Sequence, residues 1–583
     1  MRIKMEELRN EIIGKDTMIQ TPYGERLITY ADYTASGKTL KFIEKYLLKL
    51  QELYANSHTE ESTTGKSMTE LVHLSEKKIK KCFNALEDDY IFPVGTGATG
   101  AIQKLASILG VYYSPVFKER YDNYMNDKQC HTCEKDFASK FFDESHIEKP
   151  VVFISSYEHH SNDLIWRESL AEVVEIDLND EGYFDLEDLR KKVADPKYNN
   201  RLKIGSISAA SNVTGIKTPV YEVAKILHEN GAYACFDYAA SGPYVEINMN
   251  KDDESYFDAI YLSPHKFIGG PGSSGLLVIN KQLYDISSAP TVAGGGTVDY
   301  VSSKGYDFVD DVEAREMAGT PGILQIIKAS LAIELKNSLG IKFIEEKEHY
   351  FIDKVFKRLV NNPNIEILGP NDAEGRISIM SFNIKSKYGY LHHKLVTKLL
   401  NDLFGIQSRA GCACAGPYGH KLLNVDGETS LKYRDVVVNG YNSLKPGWVR
   451  VNFHYVMSER EVDYICEALE FIGDNGYLFV NEYKMDINSG LWTHKNGDAE
   501  SETISSYGVE HSLDFIGKKI FEEENVDNFA EYEKYFEVAH KLVDKLRTSY
   551  KHSDNKFIDD NIDKLRWYDF ANVVDDFEKI KNH

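Results

Sequence analysis

The sequence predicts an α/β fold built on a mostly parallel sheet. Between about residues 90 and 280, short β-rich runs alternate with turn signals and helical patterns. The runs are "YIFPV", "PVVFISS", "EVVEIDL", "IGSISAAS", "AYACFDYA", "DAIYLS" and "SGLLVIN", and amphipathic stretches such as "PVYEVAKILHENG" lie between them. Strands alternating with helices imply βαβ units. At 583 residues the chain exceeds what one hydrophobic core usually organises, so further domains are expected.

Taken in order, residues 1–30 read as an N-terminal helical segment and residues 31–335 as the large domain, interrupted at about 112–148 by a polar, aromatic insertion containing "KQCHTCEKD". Residues 336–474 read as a smaller α/β domain, with "ISIMSFNI" and "WVRVNFHY" as strands and "YLHHKLVTKLLNDL" as a helix. Beyond 475 a C-terminal extension begins with a hairpin pattern, "GYLFVNEYKMDINSGLWTHKNGD", and continues from about 522 as an acidic, aromatic, helical tail. Its composition suits a docking surface, a lid or a packing element equally.

The bulk chemistry narrows the function. Apolar residues make up 42% and charged residues 27%, a globular balance, with no apolar run long enough to span a bilayer. The segment "MRIKMEELRNEIIGKD" lacks the apolar core of a secretory signal, so a cytoplasmic protein is expected. With 68 basic and 91 acidic residues the formal net charge is −23, which disfavours nucleic acids and anionic membranes as partners. Seven scattered cysteines argue for reduced thiols rather than a disulfide framework.

Ligand sites in such sheets lie beyond the carboxyl ends of the strands, and several loops there carry chemistry. In "PVGTGATGAIQKLA" a strand runs through a glycine-rich turn into a helix, where free N–H groups around Gly97 and Ala98, with Thr96 or Thr99, suit a phosphate; the turn also has a purely structural reading. "SSYEHHSNDLIW" brings His159, His160 and Asn162, either structural or part of a site, with no acidic partners spaced for a metal. "CFDYAAS" places Asp237 directly after an apolar strand, as a cap, an ion-pair partner or the partner of a protonated ring nitrogen. "FDAIYLSPHKFIGGPGSSGLLVIN" sets Lys266 at the end of an apolar run and before small residues that let the backbone turn closely past a ligand. Together these parts suit pyridoxal 5′-phosphate, with Lys266 to hold the aldehyde, Asp237 for the ring nitrogen, the Thr99 turn for the phosphate and His159 for the ring face.

The order of Gly/Thr turn, Glu-His, Asn, Asp and Ser-x-His-Lys resembles the class V aminotransferases, and among them the cysteine desulfurases and selenocysteine lyases. The resemblance runs over about residues 30–470, from "YADYTASGKTL" and "YANSHTEESTTG" to "WVRVNFHY". It implies a fold-type I architecture, His159 stacked on the cofactor ring, Asn212 near the ring oxygen, and Ser263 and His265 at the phosphate. It also implies that Thr320 of "MAGTPG" reaches the phosphate from a neighbouring subunit, hence a homodimer. In "FGIQSRAGCACAGPYGH" the resemblance puts the persulfide-forming cysteine at Cys414, with Arg409 and Cys412 nearby. Sulfur abstraction needs a thiolate, which a neighbouring guanidinium favours. Arg450 of "PGWVRVNF" matches the residue that takes the substrate α-carboxylate, a task suited to a bidentate guanidinium, and Arg409 and Asn212 are expected to bind the substrate with it.

The implied activity is removal of sulfur from L-cysteine to give alanine and a persulfide, passed on to a sulfur-acceptor protein. The alternatives are an aminotransferase, lyase or decarboxylase of the same class, or a sulfur transferase like the molybdenum cofactor sulfurases, whose Gly-Cys-x-Cys loop is similar. A scaffold that has kept the fold is a further alternative from another class. Three departures stand out: Gly100 after Thr99, Ala240 where many relatives have a glutamine, and Cys412, which could resolve a persulfide, bind a metal with Cys414 or be idle. No metal is expected; Cys130 and Cys133 of "CHTC" form half a zinc site, a sulfur relay or a solvated loop.

Overall fold

The computed structural model describes residues 3–57, 61–120, 148–497, 528–552 and 560–570. Most of the expected insertion, with Cys130 and Cys133, lies outside the described residues. The chain divides into two units. The larger comprises Met1–Lys4, Thr34–Glu346 and Gly375–Ile377, and the smaller Met5–Tyr33, Lys347–Glu374 and Ser378–His583.

The larger unit is built on a seven-stranded sheet of β1 (Tyr90–Val94), β2 (Val151–Ser155), β3 (Glu172–Ile176), β4 (Lys203–Ser208), β5 (Ala232–Asp237), β6 (Ala259–Leu262) and β7 (Gly275–Ile279). Their order across the sheet is β1-β7-β6-β5-β4-β2-β3. Neighbours from β6 to β3 pair in parallel, and β7 runs antiparallel to both β6 and β1. Every residue of β2 and β7 is buried, which is why they read as continuous apolar runs rather than alternating ones. The crossovers include α1 (Gly97–Ile108) after β1, α2 (His160–Arg167) after β2, α3 (Leu186–Val193) after β3 and α4 (Val220–Glu229) after β4. Each amphipathic helix buries one stripe, as α4 does with Val223, Ala224, Ile226 and Leu227. Thr99, His159, Asn212, Asp237 and Lys266 thereby all lie at or just beyond the carboxyl ends of β1, β2, β4, β5 and β6.

The smaller unit holds an antiparallel sheet in the order β8 (Ile365–Ile367), β9 (Ile379–Ser386), β11 (Trp448–Asn452) and β10 (Arg409–Gly411). Helices α5 (His393–Phe404) and α6 (Glu459–Asn475) pack in the same unit. Of residues 1–30, expected to be helical, the described ones form a helix only at Met5–Asn10; a hairpin of Met18–Thr21 and Gly24–Leu27 follows, and Thr29–Tyr30 pairs in parallel with Ile406–Gln407. The hairpin read from the sequence after 475 is present as Tyr483–Met485 against Trp492–His494.

The tail contributes α7 (Asn528–Ser549), and its aromatic residues pack against the unit to which it belongs. Tyr532 stacks on Tyr464 with centroids 3.8 Å apart and bonds the Thr29 hydroxyl at 3.1 Å. The Tyr535 hydroxyl accepts from the Leu27 N–H at 2.9 Å. Among the described residues no helix is long and apolar enough to cross a membrane.

Candidate active site

At the end of β1 the chain turns through Gly95 and Thr96 into α1, whose first amides provide the positive end of a helix dipole. Gly97 adopts φ +59°, a conformation that favours glycine, and a Cβ there would come within 2.8 Å of Ser263 Oγ and push that hydroxyl aside. The Ala98 N–H donates to Ser263 Oγ at 2.9 Å, and the Thr99 and Ser161 hydroxyls bond at 2.8 Å. This joins the loops after β1, β2 and β6 into one small-residue cradle. Burial, aided by the Lys266 charge, lowers the His265 pKa to about 4, so at neutral pH this ring is an uncharged hydrogen-bonding group.

Lys266 ends a single 3₁₀ turn, Pro264–Lys266. The turn is tied down by the Gly37 N–H, which donates to His265 O at 2.9 Å. It is crowded from below: a Cβ on Gly270 would sit 1.8 Å from Pro264 O. Asp237, the last residue of β5, is buried, and its Oδ1 accepts from the Ala239 N–H at 2.8 Å. Burial pushes its pKa up, and the Ala239 N–H and the Lys266 charge pull it back. A buried carboxylate in that position gains from a cationic partner.

His159 caps α2, its Nδ1 accepting from the Ser161 N–H at 3.1 Å. Beneath it, Glu158 is buried and gathers the ends of two strands, accepting from the Ser208 N–H at 2.8 Å and from Asn162 Nδ2 at 2.7 Å. Asn162 is itself fully buried and belongs to this supporting network.

Ala98, Thr99, His159, Asn212, Asp237, Ser263, His265 and Lys266 all line one cavity of about 190 Å³. Ser161, Ser208 and Ala240 line it as well. An amine, a buried carboxylate, an imidazole and an anion cradle at a helix N-terminus fit a phosphorylated aldehyde whose ring nitrogen carries a proton. A larger cavity of about 500 Å³, lined by charged residues including His73, Glu76, Lys80 and Glu313, contains none of these groups.

Thr320 is exposed, is not part of that cavity, and receives a hydrogen bond from Asn56 Nδ2 at 3.3 Å. The remaining candidates, Arg409, Cys412, Cys414 and Arg450, belong to the smaller unit. Cys414 is exposed and Cys412 half-buried. Ala413 and Cys414 both adopt left-handed conformations, φ +48° and +56°, a costly arrangement for two consecutive residues with side chains. Arg450 is buried in β11, and its Nη2 lies 3.0 Å from Asp32 Oδ1; Arg409 Nε lies 3.1 Å from Asp32 Oδ2. Among the described residues no group of three or more His, Cys, Asp or Glu side chains is placed to hold a metal ion.

Sequence reasoning did not single out Ser161, Ser208 or Asp32, and it noted Glu158 only as the first residue of the Glu-His pair, with no role assigned to it. Their partners are brought together by the fold, and the Glu-His pair was the one signal that touched any of them.

The aminotransferase class-V family model matches residues 136–465, more than half of the chain. A probable cysteine desulfurase from Streptomyces coelicolor is 25% identical over 474 residues, covering 80% of this chain and 97% of its own. One from Pyrococcus abyssi is 30% identical over 298 residues, covering 50% of this chain and 69% of its own. Among solved structures, the apo cysteine desulfurase of Thermococcus onnurineus superposes with a TM-score of 0.61 at 23% identity, covering 81% of this chain and 99% of its own. An Escherichia coli cysteine desulfurase gives 0.58 at 20% identity, covering 80% and 98%, and both share the fold seen here. The chain therefore belongs to the class-V aminotransferase family and is an enzyme that works with pyridoxal phosphate.

Proposed function

We propose that this enzyme is a cysteine desulfurase, removing the sulfur of L-cysteine to release alanine and leave a persulfide on Cys414 for an acceptor protein. The observation that carries the reading is the convergence of Lys266, Asp237, His159 and the α1 N-terminus on one cavity. The relatives named as cysteine desulfurases support the substrate.

In this reading the amides of Gly97 and Ala98, with Thr99, Ser263 and His265, would hold the phosphate, Asp237 would pair with the ring nitrogen, and His159 and Asn212 would hold the ring, His159 at its face and Asn212 near its oxygen. Bound there, pyridoxal phosphate supplies an electron sink that makes the substrate's Cα proton removable. Lys266 would hold the aldehyde of the resting enzyme, and its Nζ, when free, would take the Cα proton of the bound amino acid. A protonated ring nitrogen beside Asp237 would favour its carboxylate form against the cost of burial. Arg450 takes the substrate carboxylate, with Arg409 beside it.

The Cys414 thiolate attacks the substrate sulfur. The new S–S bond uses the thiolate's electron pair, while the C–S pair stays on carbon, which is protonated to give alanine, His159 assisting. Exposure of Cys414 suits delivery of the persulfide to another protein. Thr320, exposed and outside its own chain's cavity, suits a homodimer in which it completes the neighbouring phosphate site. The five described cysteines are all free thiols, which suits the reducing cytoplasm.

The test is to add L-cysteine to holoenzyme and to Cys414→Ala while recording cofactor absorbance, alanine and sulfide. The reading expects absorbance changes in both proteins and products in wild type only. Turnover of L-cysteine by Cys414→Ala at the wild-type rate, or no products from wild type, would overturn it.

A further inference from the structure

Arg409 and Arg450 are Cα partners across the antiparallel strands β10 and β11, so their side chains leave the same face of the sheet. Like charges directly opposite one another repel, and one of these two is buried. Asp32 resolves the conflict by giving one carboxylate oxygen to each guanidinium, at 3.1 Å to Arg409 and 3.0 Å to Arg450. Its backbone is held from both sides. The neighbouring Ala31 N–H donates to Gln407 O, just ahead of β10, and Ala31 O accepts from the Asn452 N–H of β11, each at 2.9 Å. The Tyr30 hydroxyl donates to Asp32 O at 3.1 Å.

The pairing is uneven in a way that matters for a ligand. The Arg450 side chain is 4% exposed and that of Arg409 46%, with Asp32 between at 14%. One carboxylate between two guanidiniums leaves a net charge of +1, partly shielded from water, where an added or missing charge has a larger effect than in bulk solvent.

We propose that Asp32 is a specificity-determining residue: by neutralising one of the two arginines, it makes the pair a seat for amino acids with a single carboxylate and turns away those with a second anionic group. The inference rests on the reading that Arg450 receives the substrate carboxylate. Asp32 acts through the arginines, as a positioning and charge-setting group.

The test uses holoenzyme with L-alanine and L-aspartate as probes, binding being measured by calorimetry and by cofactor absorbance, with circular dichroism to establish folding. Arg450→Gln should weaken both probes; if neither weakens, the carboxylate seat lies elsewhere and the proposal falls with it. Asp32→Asn should shift the affinity ratio toward L-aspartate by about tenfold or more, and Asp32→Asn with Arg409→Gln should restore it. If Arg450→Gln weakens both probes but Asp32→Asn leaves the ratio unchanged, the role of Asp32 is overturned while that of Arg450 stands. Should Asp32→Asn fail to fold, Arg409→Gln alone removes the net charge and should weaken L-aspartate about tenfold more than L-alanine; equal weakening overturns the proposal.

Discussion

Replacing Glu158 with alanine is expected to destabilise the larger unit and loosen its hold on the cofactor. Its Oε1 accepts from the Ser155 N–H at 3.2 Å, the Ser155 hydroxyl at 2.5 Å and the Ser208 N–H at 2.8 Å. Its Oε2 accepts from Asn162 Nδ2 at 2.7 Å and the Ser208 hydroxyl at 2.6 Å. Truncation removes all five bonds. The serine hydroxyls can turn to other acceptors, and Asn162 Nδ2 keeps the Ser206 carbonyl at 3.0 Å. The Ser155 and Ser208 N–H groups and part of the Asn162 amide bear the loss, at about 1–3 kcal/mol per stranded buried donor. The sum is about 3–6 kcal/mol for Glu158→Ala. Glu158→Gln keeps one acceptor but sets an amide against the Asn162 amide, costing about 1–2 kcal/mol. Urea unfolding followed by the fluorescence of Trp166, the one tryptophan of the larger unit, reads this region directly, because its indole N–H donates to Asn162 Oδ1 at 3.0 Å. A change below about 0.5 kcal/mol for Glu158→Ala, with cofactor retention unaltered, would refute the reasoning.

Asp237→Asn should lower affinity for pyridoxal phosphate by about tenfold or more, since a neutral amide offers no charge to the ring nitrogen; an absorbance titration of stripped protein showing unchanged affinity would contradict this. Glu348, buried and bonded by the Tyr455 and Ser378 N–H groups at 2.6 and 3.2 Å, has its pKa pushed up by burial from 4.5 to about 8. The folded state therefore holds a proton that the unfolded chain has released over that window, so this group's contribution to stability falls as pH rises from 4.5 to 8. Melting temperatures of Glu348→Gln should lack that decline relative to wild type, and a steeper decline in the variant would contradict the assignment. Tyr532→Phe removes the hydroxyl that bonds Thr29 at 3.1 Å and should cost about 1 kcal/mol in the smaller unit, read by urea unfolding; no change would mean that the bond contributes nothing.

The sheet was legible because strands buried on both faces must be apolar throughout, as in "VVFIS" and "GLLVI". Strand direction was not, since apolar periodicity is the same for antiparallel β7 as for its parallel neighbours. The N-terminal hairpin was missed because its strands are short and Thr29–Tyr30 finds its partner at Ile406–Gln407, far along the chain. Lys266, Asp237, His159 and Thr99 could be singled out because each follows an apolar run at a turn, where α/β sheets carry their ligands. Glu158 was visible as half of the Glu-His pair, but its role emerges only when Ser208, 50 residues away, folds beside it. Asp32 is separated from Arg409 and Arg450 by 377 and 418 residues, beyond the reach of any local pattern.

The central claim is that sulfur leaves L-cysteine and arrives on Cys414. Its most direct measurement is peptide mass spectrometry of holoenzyme after a single turnover with sulfur-labelled L-cysteine, free thiols being trapped at once by alkylation. The account predicts one labelled sulfur atom added to the peptide bearing Cys414, on that residue, and none in Cys414→Ser. Label on another cysteine, or alanine formed with no protein-bound sulfur, would contradict it.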